Sequence, residues 1–351
     1  MKRVSIIGTV GLPACYGGFE TLVENLVRYK SEKISYHVYC SKSSYKTRPD
    51  KVGGAELTYI PFRANGIQSV SYDILSMLHC ILFKRSDVVL ILGVSGCIFL
   101  PFLRLFTKST IVTNIDGLEW RRDKWGTVAK KFLKFSESIA VKFSDVIIAD
   151  NKAIGDYVTE EYTKDNEIIA YGGDHAIRKI NVESGGKDYA FGLCRIEPEN
   201  NVEMILSSFS KTNKNLKFVG NWGSSEFGKK LKRTYSRFDN IILLDPVYDL
   251  DQLYVLRRNC SFYLHGHSAG GTNPSLVEMM HFGVPIYAFD CDFNRYSTEE
   301  KASYFIDENQ LISKLNSSDS EFGSNGQAMK EIALRRYTWE KIANLYESTY
   351  K

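Results

Sequence analysis

No CxxC pair occurs anywhere in the 351 residues, and the seven cysteines (Cys15, Cys40, Cys80, Cys97, Cys194, Cys260, Cys291) are scattered and odd in number. Their spacing indicates neither a zinc site nor a disulfide framework, and fits buried thiols in a reducing cytosol. An unbroken apolar run of about 20 residues, the length a spanning helix needs, is also lacking. The most apolar stretch, DVVLILGVSGCIFLPFLRLF (Asp87 to Phe106), is interrupted by Gly93, Ser95, Gly96 and Pro101 and carries Arg104. It predicts a buried strand (Val88 to Leu92), a Gly-Ser turn and a short helix. The opening MKRVSIIG has too short an apolar run, and no cleavage pattern, for a secretory leader, so a cytoplasmic location is expected. Charge of one sign is scarce: the net charge is +4. That permits an anionic ligand or lipid surface but demands no nucleic acid. Low-complexity tracts and short-period repeats are missing too.

What is present is an ordinary globular composition, 44% hydrophobic and 25% charged, in a chain longer than one core usually serves. Short β-branched runs alternate with helical stretches. VSIIG precedes a helix from about Phe19 to Tyr29. SYHVYC and ELTYIPF follow, then a helix from about Ser71 to Phe83, DVVLIL, STIVTNID, a long helix over Thr127 to Phe143, DVIIADN and NEIIAYG. The pattern restarts after YGGDHAIRK with DYAFGLCRI, NNVEMILSSFSKT, LKFVGNWG, NIILLD, DQLYVLRRN, CSFYLHG, NPSLVEMMHFG and PIYAFD. YTWEKIANLYESTY closes the chain with apolar residues at helical spacing. Continuous apolar strands between amphipathic helices predict two α/β domains, each a doubly wound parallel sheet. Ligands of such sheets sit beyond the carboxyl ends of strands, so the strand-to-helix loops are the places to search.

Four loops stand out. In GLPACYGGFE, Gly17 and Gly18 allow backbone conformations closed to other residues, and the helix that follows offers unpaired amides to a phosphate. The alternative is a turn that only needs glycine. A dinucleotide fingerprint is absent, because GTVGLPA lacks GxGxxG spacing. In TNIDGLEWRRDKWG, Asp116, Glu119, Arg121, Arg122 and Asp123 lie beside Trp120 and Trp125. Carboxylates next to aromatic planes suit a sugar; the alternative is a solvated turn anchored by tryptophans. In FGLCRIEPENN, Arg195 either binds phosphate oxygens through its planar fork or pairs with Glu197 or Glu199. The fourth loop, HGHSAGGTNPSLVEMMHFGVP, is the most specific. Asn273 is a good N-cap, Pro274 fits the first helical position, and Gly283 with Pro285 ends the helix. Gly270, Gly271 and Thr272 present main-chain amides suited to a diphosphate. Glu278, one turn in, either accepts two hydroxyls of a vicinal diol such as a ribose or is a surface acid. The HxH of His265 and His267, and the DLD and DCD triplets, lack further ligands at fitting spacing, so no metal is expected.

In order and content these loops resemble a retaining GT-B glycosyltransferase of family 4, over nearly the whole chain. PACYGGFE and NIDGLEWRRDKWG resemble the first domain of bacterial rhamnosyltransferases of capsule and O-antigen assembly. RIEPENN, GGTNPSLVEMMHFGVP and YTWEKIANLYE resemble the diphosphate segment, the nucleotide-sugar signature and the closing helix of the family. The resemblance implies a Rossmann-like acceptor-side domain over 1–176 and a donor domain over 177–335, facing a cleft. Residues 336–351 would cross back to the first domain. Carried over, Arg195 would face the donor diphosphate with Gly271, Thr272, Asn273 and Ser275, Glu278 would hold the ribose, and Gly17 and Gly18 would approach the same diphosphate. Asp116 or Glu119 would orient the acceptor. Three positions depart from the pattern: Asn200 replaces a lysine, Gly270 replaces the first of two paired glutamates, and Ile115 replaces a histidine near the donor sugar. An apolar residue there suits a 6-deoxy sugar.

The function implied is transfer of a sugar, with retention and without cofactor, from a nucleotide-diphosphate donor, dTDP-rhamnose first. The acceptor would be a polyprenyl-diphosphate-linked saccharide. The alternatives are a sugar-nucleotide epimerase or hydrolase on the same fold, and a non-catalytic nucleotide-sugar-binding module. Finally, Arg121 to Lys142 interleaves seven cations with Trp125, Val128, Phe132, Phe135 and Ile139. This predicts peripheral binding to an anionic membrane face, unless the apolar stripe faces the core.

Overall fold

Residues buried on alternate turns explain why the first helix forms where it does. Leu22, Val23, Leu26 and Val27 are all buried on one face of α1 (Gly18–Tyr29). Each such side chain contributes roughly 1.5–3 kcal/mol on burial. The computed structural model describes residues 1–15, 17–115, 117–121, 125–180, 186, 188–317 and 325–351. The chain divides into two compact units, Met1–Ala170 with Trp339–Lys351, and Tyr171–Thr338.

Unit 1 runs β1 (Lys2–Ile7), α1, β2 (Ile34–Ser41), β3 (Lys51–Val52), β4 (Ala55–Ile60), α2 (Gln68–His79), β5 (Val88–Leu92), α3 (Leu100–Phe106), β6 (Thr110–Ile115), α4 (Thr127–Phe143), β7 (Val146–Ala149), α5 (Lys152–Tyr162) and β8 (Glu167–Ile168). The sheet order is β3-β4-β2-β1-β5-β6-β7-β8, parallel except for β3. β1 and β5 are wholly or almost wholly buried along their apolar residues, which is why they read as unbroken apolar runs. The helix Trp339–Thr349 packs on α1. Glu347 there accepts from the amide and hydroxyl of Ser31, both at 2.7 Å, and Tyr346 accepts from Asn114 at 2.6 Å.

Unit 2 runs β9 (Tyr189–Leu193), α6 (Val202–Ser210), β10 (Asn215–Val219), α7 (Glu226–Tyr235), β11 (Ile241–Leu244), α8 (Leu250–Arg258), β12 (Phe262–His265), α9 (Pro274–Met280), β13 (Ile286–Phe289), α10 (Asp292–Ser297), β14 (Ser303–Phe305), α11 (Glu308–Asn316) and the helix Gly326–Arg336. The order β11-β10-β9-β12-β13-β14 is parallel throughout. Phe191 and Tyr263 are buried on the central strands, and Phe209, Phe218 and Trp222 pack into one core cluster.

Several expected elements are trimmed. NEIIAYG pairs only through Glu167–Ile168. Just beyond, Gly173 lies so close to the Val277–Glu278 backbone of α9 that no Cβ fits, and its amide bonds the Tyr337 carbonyl at 2.8 Å. That packing takes the chain off the sheet. The strand in DYAFGLCRI ends at Leu193, which leaves Arg195 in a loop. The expected burial of every thiol fails at Cys15, which is exposed.

Candidate functional site

Each sheet reverses its strand order once. In unit 1 the chain builds β1, β2 and β4 in one direction and β5 to β8 in the other, so the reversal lies between β1 and β5. In unit 2 it lies between β9 and β12. Ligands of doubly wound sheets bind at the carboxyl ends beside such reversals. The loops there are Gly8 to Gly17 and Gly93 to Gly96 in unit 1, and Cys194 to Asn200 and Gly266 to Asn273 in unit 2. Three of the four loops singled out in the sequence fall at or border these two places. The Asp116–Glu119 loop follows β6, one strand further on.

The two unit 2 loops are stitched together. Ser268 donates its amide (3.0 Å) and hydroxyl (2.8 Å) to the Glu199 carbonyl, and Asn201 donates to the Gly266 carbonyl at 2.8 Å. Gly266 lies against the Asn200 carbonyl, where a Cβ has no room. Asn200 is buried and donates to the Arg195 carbonyl at 2.7 Å. Its amide shapes the loop and cannot supply the charge of a lysine. The Arg195 guanidinium is half exposed and sits 3.7 Å from Glu197, a surface pair of small energetic weight.

Asn273 caps α9 by accepting from the Ser275 amide at 3.0 Å and the Ser275 hydroxyl at 2.7 Å. The same hydroxyl accepts from Tyr263 at 3.0 Å. The Ser275 amide, expected to face a donor, is therefore already bonded within the unit. Thr272 is buried, and Gly270 takes a φ of +118° with open space around it.

Glu278 is not a surface acid. Arg257 of α8, itself buried, is hydrogen-bonded to its Oε2, and His175 Nε2 lies 3.3 Å from Oε1. Burial pushes the Glu278 carboxyl up, but Arg257 and His175 outweigh it and hold it below the ordinary carboxylate range. Sequence reasoning missed both partners. Arg257 reads as a basic residue in the last turn of a helix, and His175 as part of a domain break; only the packing of Gly173 on α9 brings His175 in.

In unit 1, Gly17 has φ +135°, and the Glu20 carboxylate packs where its Cβ would sit. Glu20 accepts from Thr9 Oγ1 at 3.0 Å and the Val10 amide at 2.7 Å. Glycine at 17 thus answers a need of the loop itself. Gly18 is the first residue of α1 and does not use left-handed conformations. The N-cap of α1 is Gly17, which has no side chain to bond the first amides. Asp116 lies outside the described residues, as do Arg122 and Asp123. Glu119 accepts from Trp125 Nε1 at 3.1 Å, which folds the loop on itself. Ile115 is completely buried at the end of β6, which weakens its expected part in reading the donor sugar.

Beside this loop, buried Glu137 of α4 accepts from Trp120 Nε1 (3.0 Å), Tyr157 (2.6 Å) and Tyr162 (2.7 Å). Lys134 bonds Tyr157, pairs with Glu161 at 2.9 Å, and lies over the Trp120 and Tyr162 rings. Lys134 is therefore an internal cation. Of the apolar stripe named in the sequence, Val128 and Phe135 are exposed and Trp125, Phe132 and Ile139 are half-buried. The stripe is therefore not the side that α4 buries, which is formed by Leu133, Ser136, Glu137, Ala140 and Val141. His265 and His267 stack at 4.4 Å. Burial and the neighbouring ring push His265 well below its ordinary value. Among the described residues no group of three or more His, Cys, Asp or Glu could hold a metal.

Residues 1–174 match the model of a domain of unknown function, DUF1972. No protein of curated function matches the chain by sequence. Among solved structures, sucrose-phosphate synthase from Thermosynechococcus elongatus is similar at TM-score 0.80 and 13% identity, over 100% of this chain and 98% of that one. HepE from Anabaena in complex with UDP gives 0.75 and 12%, over 99% of each chain. Trehalose-6-phosphate synthase OtsA gives 0.72 and 11%, over 100% and 99%. At such identities the likeness is one of fold: the chain has the GT-B fold, with two Rossmann-like domains.

Proposed function

We propose that the chain is a glycosyltransferase that takes a sugar from a nucleoside-diphosphate donor, with retention, and adds it to a saccharide acceptor. The observation that carries this reading is the unit 2 reversal point. There a half-exposed arginine stands on one loop, and the stitched partner loop leads into a helix carrying a glutamate ion-paired with buried Arg257. Arg195 and the main chain of Gly270 and Gly271 suit a diphosphate; Glu278 suits a nucleoside hydroxyl. The structural relatives fit the same class, since HepE is described in complex with UDP and with UDP-glucose.

In the reaction the bond from sugar C1 to the diphosphate oxygen breaks, and its electrons leave with the diphosphate. The acceptor oxygen forms the new C1 bond on the same face, and its proton passes to the departing phosphate. Oriented donors that neutralise the developing charge supply the main help. Arg195 has that role; Asp116 and Glu119 remain candidates for orienting the acceptor. We favour dTDP-rhamnose, from the likeness of the first half to rhamnosyltransferases. A thymidine nucleotide has one hydroxyl on its deoxyribose, so it needs one free lone pair of Glu278, whose Oε2 is bound to Arg257 and whose Oε1 faces His175. The acceptor we favour is a polyprenyl-diphosphate-linked saccharide of a surface polysaccharide, reached by peripheral contact with the cytoplasmic membrane face.

A second reading has its own observation. Asn200 is neutral and internally bonded, and Gly270 offers no acid, so a module that binds nucleotide-sugars without turnover also fits. One assay separates these. The chain is incubated with a panel including dTDP-rhamnose and UDP-glucose, and with the lipid-linked acceptor. Glycosylated acceptor and free nucleoside diphosphate are expected. Free sugar or an epimer would instead mean hydrolysis or epimerisation, and binding without products would mean the non-catalytic module. Preference for UDP-glucose would overturn the rhamnose assignment.

A further inference from the structure

Three helices of unit 1 end at the amino-terminal edge of the sheet, away from the reversal point. There the exposed apolar surface concentrates. Leu82 and Phe83, in the π-turn Cys80–Lys84 that extends α2, and Leu105 and Phe106 of α3 are 59% to 77% exposed. Phe102 continues this surface along α3, its ring 4.7 Å from Phe106. A core would have buried these groups, and scattered single exposures are ordinary; a contiguous cluster marks a contact surface. The two ends meet at one recess, lined by Phe106 and by Ile81, the chain neighbour of Leu82. About 340 Å³ in volume, it is also lined by Cys80, Arg85, Leu103 and Lys108.

Charge selects the occupant. The acids of this edge are already matched: Asp145 with Arg104 at 2.7 Å, Asp87 with Arg3 at 3.8 Å, and Glu56 with Lys84 at 3.2 Å. Exposed Arg85, Lys108 and Lys142 have no ion pair among the described residues. Lys142 belongs here because Arg104 donates to the carbonyl of the adjacent Phe143 at 2.8 Å. Protruding apolar side chains surrounded by unmatched cations are complementary to an anionic lipid surface, where the rings enter the acyl boundary and the cations stay at the phosphates. No helix among the described residues is long and apolar enough to cross a membrane, so the contact would be peripheral.

We infer that the carboxyl-terminal ends of α2, α3 and α4 form a docking face for an anionic phospholipid bilayer. It lies at the end of α4 and not along its flank, and it stands apart from the transferase reading because its test contains no nucleotide.

The test is flotation with phosphatidylcholine vesicles, with and without phosphatidylglycerol, at low and high salt. The wild type should float with the anionic vesicles at low salt and be released at high salt. Phe83→Ser with Leu105→Ser, and separately Arg85→Glu with Lys108→Glu and Lys142→Glu, should each lower the partition coefficient at least tenfold. Circular dichroism checks their folding. Phe83→Trp, which keeps an aromatic ring at the site, should shift its emission to the blue on anionic vesicles. Flotation of both variants like the wild type, no flotation of the wild type, or unshifted Phe83→Trp emission overturns the inference. So does a dimer, seen by sedimentation and lost in Phe83→Ser with Leu105→Ser, in a protein that does not float.

Discussion

Arg257 is buried, and Glu278, its side chain 13% exposed, is the counter-charge it depends on. Removing one leaves the other without its counter-charge, which costs about 3–5 kcal/mol, while replacing both by neutral groups of similar volume costs far less. Glu278→Gln and Arg257→Met should therefore each lower the urea unfolding free energy by about that much, and the double variant by less than the sum of the two. Additive losses would show that the pair is not coupled. Arg195 is the contrasting case. It is half exposed and loosely paired, so Arg195→Ala should change stability by less than about 0.5 kcal/mol. It should reduce nucleoside-diphosphate affinity at least tenfold while sparing the nucleoside, as calorimetry can measure. Equal loss of both would mean that Arg195 shapes the loop only.

At the scale of elements, α4 shows how one helix serves two needs. Its buried side carries Leu133 and Ala140 into the core, and also Glu137, the shared acceptor for Trp120, Tyr157 and Tyr162. The carboxylate thereby fastens the loop after β6 and the helix α5 to α4. Glu137→Gln keeps the shape but gives up the charge on three hydrogen bonds. The expected cost is about 1.5–3 kcal/mol, with a red shift of tryptophan emission as Trp120 loosens. Unaltered stability and emission would mean that packing alone holds the loop.

At the scale of the whole molecule, stability depends on a proton held by one acid. Asp73 of α2 is buried against Gly96, and its Oδ1 has no hydrogen-bond partner. Burial raises its carboxyl from 3.8 to about 8, with the Gly96 amide opposing. The folded chain thus keeps a proton that the unfolded chain releases across that interval. The contribution is complete below the unfolded value and is lost as the pH rises through the folded one. Unfolding free energy should fall from pH 5 to pH 8 with a slope approaching about 1.4 kcal/mol per pH unit from this group. Asp73→Asn should remove that part of the slope. Identical pH profiles for the two proteins would show that Asp73 is ionised in the fold.

Periodicity alone determined that this chain makes parallel sheets, because strands buried on both faces must be apolar without interruption, as β1 and β5 are. It also located α4 to the residue, and the Asn273–Pro274 start of α9, since caps and amphipathic faces are local chemistry. The loops worth examining were legible for the same reason. What those loops hold was not. Arg257 lies 21 residues before Glu278 and His175 more than 100 before it, and nothing local marks them as partners. The packing of α8 brings in Arg257, and the close approach of Gly173 to α9 brings in His175. A sequence displays the polar atoms of Asn200 and Ser275 without their bonds, and the fold gives both of them partners inside the unit. On α4 the apolar stripe stays partly exposed, while Leu133, Glu137 and Ala140 form the buried side. Which side of an amphipathic helix meets the core is decided by the elements that pack against it, and those come together only in three dimensions.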